Sequence, residues 1–551
     1  MKYLNYKYAP LLIIVLLGAF LRFYQLGEVP SGVYVDEAAL GYNAYAISET
    51  SRDEYGHFMP IFLRSFSAFS SPLYVYLSAI SVSLLDLSAF SIRLLSALSG
   101  ILTIVVIFVI IEKILKYKSK FTSLIATLIF ALSPWSIFFS RAAFEANLGF
   151  IILAIAIYLT LSVDKFRNLL ASAVLLGFSA YAYQSLRLIP LLLIPMHYLL
   201  FRNKKYNLKK ALIISAVFFV TILPQIVISS SPAFGSRAAG LFYSDVVATQ
   251  SGKIFFLPQQ ISFLLSLVRE FSSQLFAYFS PANLFLLGDA DPQRSIPEMG
   301  VYNVWVMVPY LVGLYTLTQK LPDKKALFVF AMMVIFATPA ALSRDPFSTL
   351  RALNLLIPFS IVIALGVDNL IGKIGEKVSL VAIILLVASS LIGFWRGYFV
   401  LFASERAAIW NYGYKELAHE ISTSNEHFVI DNSRIKPPHI LLAFHMKIPA
   451  AVYQEFAKTK IIKGYYEDTE FDTYYALADF ETRAIDWEHD IYKEQILVGD
   501  ALAMSEEQVK EHLLEKVFEI RDPLNKLVFQ GYRTNPEEKC RMIYNRNKYC
   551  I

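Results

Sequence analysis

Two adjacent carboxylates, Asp36 and Glu37, lie in the stretch Gly32-Val-Tyr-Val-Asp36-Glu37-Ala-Ala-Leu-Gly-Tyr, between a first apolar run ending at Leu26 and Pro72. Polar residues follow in Ser51-Arg-Asp-Glu54-Tyr-Gly-His57-Phe. Further along, polar and charged residues recur at the ends of apolar runs: Arg93, Arg141 with Glu145, Tyr183 with Arg187, Asp289 with Asp291, Arg344 and Arg351. Guanidinium groups grip phosphate bidentately, and a carboxylate can deprotonate an attacking hydroxyl. A mixed set of this kind suits a phosphate-bearing substrate.

The elements that must position these residues are membrane helices. Hydrophobic residues make up 56% of the 551 positions and aromatic residues 15%, with a mean hydropathy of +0.50, more than a soluble core needs. The apolar runs have the length that crosses about 30 Å of hydrocarbon as helix, so the fold class is a polytopic α-helical membrane protein. The first run, 9–26, follows Lys2 and Lys7 but lacks a small-x-small cleavage site, which makes it a retained helix.

Orientation follows from lysine and arginine, which gather in cytoplasmic loops. Four clusters stand out: Lys113 to Lys120, Arg202 to Lys210, Lys320 to Lys325, and Lys373 to Lys377. Placing all four inside, with the N-terminus, makes 72–87 an interfacial or re-entrant helix and 28–90 one long external segment. The expected spans are then 9–26, 91–111, 121–139, 147–163, 168–185, 188–201, 211–228, 301–318, 326–342, 352–371 and 380–399, eleven in all. A second external loop, 229–300, carries an apolar helix near 261–269 that would lie along the membrane surface. The membrane domain thus covers 1–400, with external loops 28–90 and 229–300.

The tail, 401–551, differs in kind. Helix-like stretches such as 506–515 alternate with strand-like ones at 428–431, 495–498 and 526–529, which reads as an extracytoplasmic soluble α/β domain. Both cysteines, Cys540 and Cys550, fall in it; on an external face they could pair or stay free. The formal charge of +6 sits in the cytoplasmic loops and reports topology rather than nucleic-acid binding.

Each candidate also has a plainer reading. Asp36 could cap a helix over 37–48. Arg93, Arg187 and Arg351 could snorkel to headgroups from helix ends, and Arg141 with Glu145 could be a helix-surface ion pair. His57, counted among the substrate-binding candidates, could be solvated or locally hydrogen-bonded. Asp289-Ala-Asp291 matches the Asp-x-Asp metal pair of nucleotide-sugar enzymes, a short pattern. No Walker loop or dinucleotide fingerprint occurs.

Taken in order, the residues resemble membrane glycosyltransferases of the GT-C type that use polyprenyl-phosphate sugars, in the branch of protein O-mannosyltransferases and aminoarabinose transferases. The resemblance rests on Asp36-Glu37, Ser71-Pro72-Leu73-Tyr74, and Ile92-Arg93-Leu-Leu-Ser-Ala-Leu-Ser-Gly100. It continues in Leu132-Ser-Pro-Trp-Ser-Ile-Phe-Phe-Ser-Arg141-Ala-Ala-Phe-Glu145, Tyr181-Ala-Tyr183-Gln-Ser-Leu-Arg187 and Gly288-Asp-Ala-Asp-Pro-Gln-Arg294. No loop is long enough for the inserted β-trefoil of the eukaryotic mannosyltransferases. The resemblance implies a lipid-linked sugar donor, a protein, lipid or glycan acceptor entering from outside, and inversion at the anomeric carbon. Asp36 would be the general base, with Glu37 raising its pKa or binding sugar hydroxyls. Arg93, Arg187 and Arg351, with Tyr183, would hold the leaving phosphate; His57, Arg141, Glu145, Asp289 and Asp291 would contact substrate. No cofactor is required by this scheme, while Asp289 keeps a divalent cation open.

Two rival classes share the composition. A lipid or solute transporter would place ionisable residues at mid-span with repeat symmetry, whereas here they sit at outer ends and the halves do not match. A catalytically inactive membrane scaffold would keep the shape and tolerate loss of Asp36.

Overall fold

In the computed structural model the described residues are all but 1, 116, 118, 233, 235–241, 434–436, 471–473, 478, 543–549 and 551, with the side chains of 2–7 also left out. Lys116 and Lys118 of the first lysine cluster, and the Lys2 and Lys7 side chains, lie outside the described residues. The chain divides into two compact units, and the division differs from a cut at residue 400. One unit comprises Met1–Leu26, Ser70–Tyr74 and Arg93–Leu401; the other joins Gly27–Phe69 and Val75–Ile92 to Phe402–Ile551.

The first unit is a helical membrane body. Every apolar run expected to span is helical among the described residues, but six helices have full span length and hydropathy: Ala89–Ile114, Gln184–Phe201, Leu208–Val227, Lys324–Ala341, Leu353–Ile374 and Glu376–Glu405. Tyr8–Phe23, Thr122–Ala131, Glu145–Thr160, Phe166–Ala182 and Val304–Gln319 are apolar but shorter. The expected span over 121–139 is interrupted, and the cause is local. Proline disfavours helix in the residue before it and is at home in the first turn. Thr122–Ala131 therefore ends before Ser133, and a second helix, Pro134–Phe139, begins with the Ser133 hydroxyl accepting from Ser136 N at 3.1 Å.

Small residues bring two of these helices together. A Cβ on Gly313 would stand 1.9 Å from the Val362 carbonyl oxygen, and one on Gly366 would stand 1.8 Å from that of Pro309, the close backbone approach that membrane helices use where no hydrophobic drive exists. The helix Gln259–Ala277 is turned inside out relative to a water-soluble helix. It buries Ser262, Ser266 and Gln274 and exposes Ile261, Leu264, Leu265 and Val268, a face suited to lipid.

Why buried charge is tolerated in this unit is visible at the end of the helix Lys2–Phe23. The last carbonyls of a helix lack partners and carry partial negative charge, and three arginines, each 0% exposed, supply the donors. Arg22 reaches Gly18 O at 3.0 Å, Ala131 O at 3.2 Å and Ser136 Oγ at 2.7 Å. Arg141 reaches Leu21 O at 2.8 Å, Arg22 O at 3.1 Å and Gln25 O at 3.3 Å, and Arg93 reaches Leu26 O at 3.1 Å. Replacing Arg141 by methionine keeps the bulk and removes those donors. The expected cost is about 2–3 kcal/mol, read as a lowered thermal midpoint of the purified protein. Arg344→Gln, which breaks an exposed pair with Asp245, should change it by less than about 1 kcal/mol.

The second unit contains an α/β sheet. Strands β1 (Leu63–Ser65) and β2 (Ala68–Ser70) form a short hairpin early in the chain. β3 (Phe428–Ile430), β4 (Tyr475–Leu477), β5 (Phe480–Thr482), β6 (Ile496–Gly499), β7 (Glu515–Arg521) and β8 (Leu527–Arg533) build a six-stranded mixed sheet in the order β4-β5-β3-β6-β8-β7. β3 runs parallel to both its neighbours, and the other pairs are antiparallel. Val429, Leu497, Met504 and Leu514 pack as its core. Cys540 and Cys550 form a disulfide, which settles the alternative left open above.

In this unit the early segment and the tail are one packed body. The helix Val35–Thr50, rich in alanine and buried over most of its length, is bonded from Tyr42 Oη to Ile448 O at 2.8 Å. Gln454 Nε2 donates to Thr50 Oγ1 at 2.8 Å and Asp53 O at 2.9 Å. Asp53 is fully buried and accepts from the Tyr465 hydroxyl and, at its other oxygen, from His57 N at 2.7 Å and Tyr55 N at 3.1 Å. Arg64, also buried, donates to Glu470 O at 2.7 Å and lies 3.6 Å from Asp468.

Burial pushes the Asp53 carboxyl up to about 6, against the pull of those hydrogen bonds. The folded state therefore holds this proton where an unfolded carboxyl has lost it. Stability from this group is complete at acid pH and is lost as pH climbs through about 6. The thermal midpoint should fall between pH 4.5 and 6.5 relative to that of Asp53→Asn, and run parallel to it above pH 7. Equal slopes across both ranges would remove Asp53 from the titration.

Candidate functional site

In the second unit, Asp36 occupies the second position of the helix Val35–Thr50, with Tyr34 as N-cap. The expectation that Asp36 caps this helix is corrected: the helix starts two residues earlier than 37. Glu37, not Asp36, reaches back, accepting from Tyr34 N at 3.3 Å, and is 2% exposed. Its carboxylate is thus engaged in fixing the helix start. Asp36 is exposed, on a helix whose other end is closed by Ser51 N bonding to Ile47 O at 2.9 Å. An exposed carboxylate on a rigid, buried element is what a base needs: access for the hydroxyl and a fixed direction. His57, in the same unit, stacks on Tyr465 at 4.3 Å; burial and the charge of Arg52 lower its pKa.

In the first unit the structure gathers a second set. The turn after Leu287 needs Gly288, whose φ of 71° only glycine adopts cheaply. It directs Asp289 inward, where the Oδ2 atom accepts from Thr349 N at 2.9 Å and Thr349 Oγ1 at 2.7 Å. Arg294 bonds Asp289 at 3.2 Å and Asp291 at 3.1 Å, and lies 3.9 Å from Asp345. Arg351 in turn holds Asp345 at 2.8 Å and Ser343 Oγ at 2.9 Å. The loop 343–351 is tied down by Tyr278, whose hydroxyl accepts from Ser348 N at 2.9 Å and whose ring stacks on Phe347. Phe347 pays for this with a φ of 58°, a strained value for a large side chain.

Beside these charges lies a small cavity of about 20 Å³, lined by Trp135, Phe138, Gly288, Asp289, Arg294 and Thr349. The broken helix makes its wall: because Pro134 restarts the chain, Trp135 N reaches Val301 O at 3.1 Å and Trp135 Nε1 reaches Thr349 O at 3.0 Å. Although burial alone would lower the pKa of Arg294, Asp289 and Asp291 raise it above its ordinary value, and Tyr183 is among the groups acting on it. Arg187 donates to Phe234 O at 3.3 Å, lies over that ring, and feels the charge of Glu145.

Two sequence expectations are placed differently. Arg93 and Arg141 are buried and donate to backbone carbonyls, a placement the sequence did not suggest. The Asp289-Ala-Asp291 pair does not fit a divalent ion as it stands, because both carboxylates already accept from Arg294. Among the described residues no cluster of three or more His, Cys, Asp or Glu side chains could hold a metal.

Residues 70–228 match the family model described as dolichyl-phosphate-mannose-protein mannosyltransferase. The structure of ArnT from Cupriavidus metallidurans bound to undecaprenyl phosphate is similar over 94% of this chain and 97% of that one, with a TM-score of 0.54 at 12% identity. The same protein in its apo state gives 0.55 at 13% identity, over 96% and 98%. The chain has the GT-C glycosyltransferase fold. No curated protein matches the sequence.

Within the GT-C frame, Asp345, Thr349 and Tyr278 escaped the reading of the sequence, and Arg294 entered it only as the end of a motif, without a role. Arg294 stands three residues after Asp291, a spacing that favours a local ion pair and was legible. Asp345 and Thr349 are loop residues whose partners lie far away in the chain, and no local pattern marks them.

Proposed function

We propose that this protein is an integral-membrane glycosyltransferase that moves a sugar from a polyprenyl phosphate to an acceptor hydroxyl on the extracytoplasmic face, with inversion. The N-terminus lies in the cytoplasm and the sheet domain outside, as the lysine-rich loops require. The observation that carries the reading is the GT-C fold together with an exposed aspartate, Asp36, on a buried and capped helix. The ArnT structure contains undecaprenyl phosphate, which supports a polyprenyl phosphate as the donor's carrier.

In this mechanism Asp36 accepts the proton as the acceptor oxygen attacks the anomeric carbon. The bond from that carbon to the phosphate oxygen breaks, and its electron pair leaves with the polyprenyl phosphate. Arg351 and Arg187, joined by Arg294, neutralise the charge that grows on the leaving oxygen. Tyr183 and Glu145 hold Arg294 and Arg187 electrostatically. Glu37 fixes the helix that carries the base, and His57 serves the acceptor side. The acceptor is a protein, lipid or glycan hydroxyl.

The test is a panel of polyprenyl-phosphate sugars supplied to the protein in lipid vesicles with mixed acceptors. Release of free polyprenyl phosphate from one member would identify the sugar. Intact donor appearing in the opposite leaflet, with no release, would instead favour a transporter.

A further inference from the structure

At the lysine-rich end of the membrane body, four helices leave a cavity of about 330 Å³. Its walls are aliphatic: Ile114 and Leu115 at the end of Ala89–Ile114, Leu317 of Met307–Gln319, Ala326 and Val329 of Lys324–Ala341, and Leu365 of Leu356–Ile374. Its mouth carries Lys320, Asp323 and Lys325. The Asp323 carboxylate caps the next helix, accepting from Lys325 N at 3.2 Å and Ala326 N at 3.3 Å, so one negative charge stands against two ammoniums and the rim stays net positive. The ammonium of Lys325 is pinned over the mouth by Lys113 O and Ile114 O, each at 3.2 Å. An ammonium has three donors, so one proton remains after those two bonds. Lys320 is exposed beside it.

We infer that this cavity is a binding site for an anionic phospholipid, with its phosphate at Lys320 and Lys325 and the start of an acyl chain against the aliphatic wall. The volume lies in the range of ligand pockets, and an apolar interior under a cationic rim is the complement of a lipid rather than of a soluble anion. Basic pockets between membrane helices on the cytoplasmic side take acidic headgroups, and the lysine clusters place this end in the cytoplasmic leaflet, where such lipids are enriched. The site lies at the end opposite to the charged cluster proposed to hold the donor, so lipid retention can be read without measuring sugar transfer.

The experiment is native mass spectrometry of the delipidated full chain titrated with phosphatidylglycerol or phosphatidylcholine. One phosphatidylglycerol should be retained in preference to phosphatidylcholine. Each lysine at a membrane surface contributes about a fivefold factor, so Lys320→Gln should weaken retention about fivefold while Lys320→Arg keeps it. Ala326→Phe fills the cavity with both lysines intact and should abolish the preference, its fold being checked by an unchanged elution profile. Equal retention of the two lipids would overturn the inference. So would wild-type behaviour in both Lys320→Gln and Ala326→Phe. Displacement by millimolar inorganic phosphate would also overturn it, assigning the site to a free anion.

Discussion

Asp36→Asn should leave a folded protein that binds donor normally and turns over about 10²–10⁴ times more slowly, the range a positioned general base contributes. The amide preserves size and polarity at an exposed position in the first turn, and the capping bond belongs to Glu37 rather than to Asp36, so stability should hold. The measurement is kcat and KM for the donor at matched protein folding, with the loss confined to kcat. A Glu37→Gln companion separates the two carboxylates: its effect should appear chiefly as lowered stability, because its carboxylate serves the helix start. Turnover surviving Asp36→Asn but lost in Glu37→Gln would exchange their roles.

The second large effect is expected at Arg294. Its removal as Arg294→Gln leaves Asp289, only 6% exposed, without its counter-charge, and a buried carboxylate stripped of its cation costs about 3–5 kcal/mol. The thermal midpoint should fall accordingly, and transfer should drop by about 10²-fold or more if the guanidinium also meets the leaving phosphate. The double variant Asp289→Asn/Arg294→Gln tells these contributions apart. Removing both charges should restore much of the stability but not the transfer. Recovery of both would make Arg294 a positioning residue for the loop 343–351 and no more.

Much of the architecture was legible because the membrane imposes it. Runs of aliphatic residues bounded by lysine clusters mark helices, and strands such as Phe428–Ile430 announce themselves by β-branched and aromatic residues. The break at Ser133-Pro134 was also readable, since proline after serine starts helices, but it was submerged in an apolar run. Helix length was harder: the run over 121–139 reads as one span by hydropathy, yet Thr122–Ala131 stops short at the Ser133-Pro134 break.

The candidate site divided along the same line. Asp36 stood out because an acidic pair beside an apolar run lacks a packing reason. The structural part played by Arg93 and Arg141 was not legible, because their donation to the carbonyls of Leu21, Arg22, Gln25 and Leu26 depends on residues far away in the chain. Asp289 and Asp291 resembled a metal pair for a similar reason, since the guanidinium between them comes from a residue whose role depends on the turn at Gly288. The joining of 27–69 to the tail was invisible, as no local pattern reports that Asp53 meets Tyr465 or that Tyr42 meets Ile448.

One single-turnover experiment bears most directly on the proposed reaction. A polyprenyl-phosphate sugar labelled separately in the sugar and in the phosphorus is incubated with the reconstituted protein and its acceptor, and both labels are followed. The expected result is the sugar label on the acceptor with inverted anomeric configuration, and the phosphorus label wholly on free polyprenyl phosphate. Transfer of both labels together, or retention of configuration, would contradict direct displacement at the anomeric carbon with Asp36 as base.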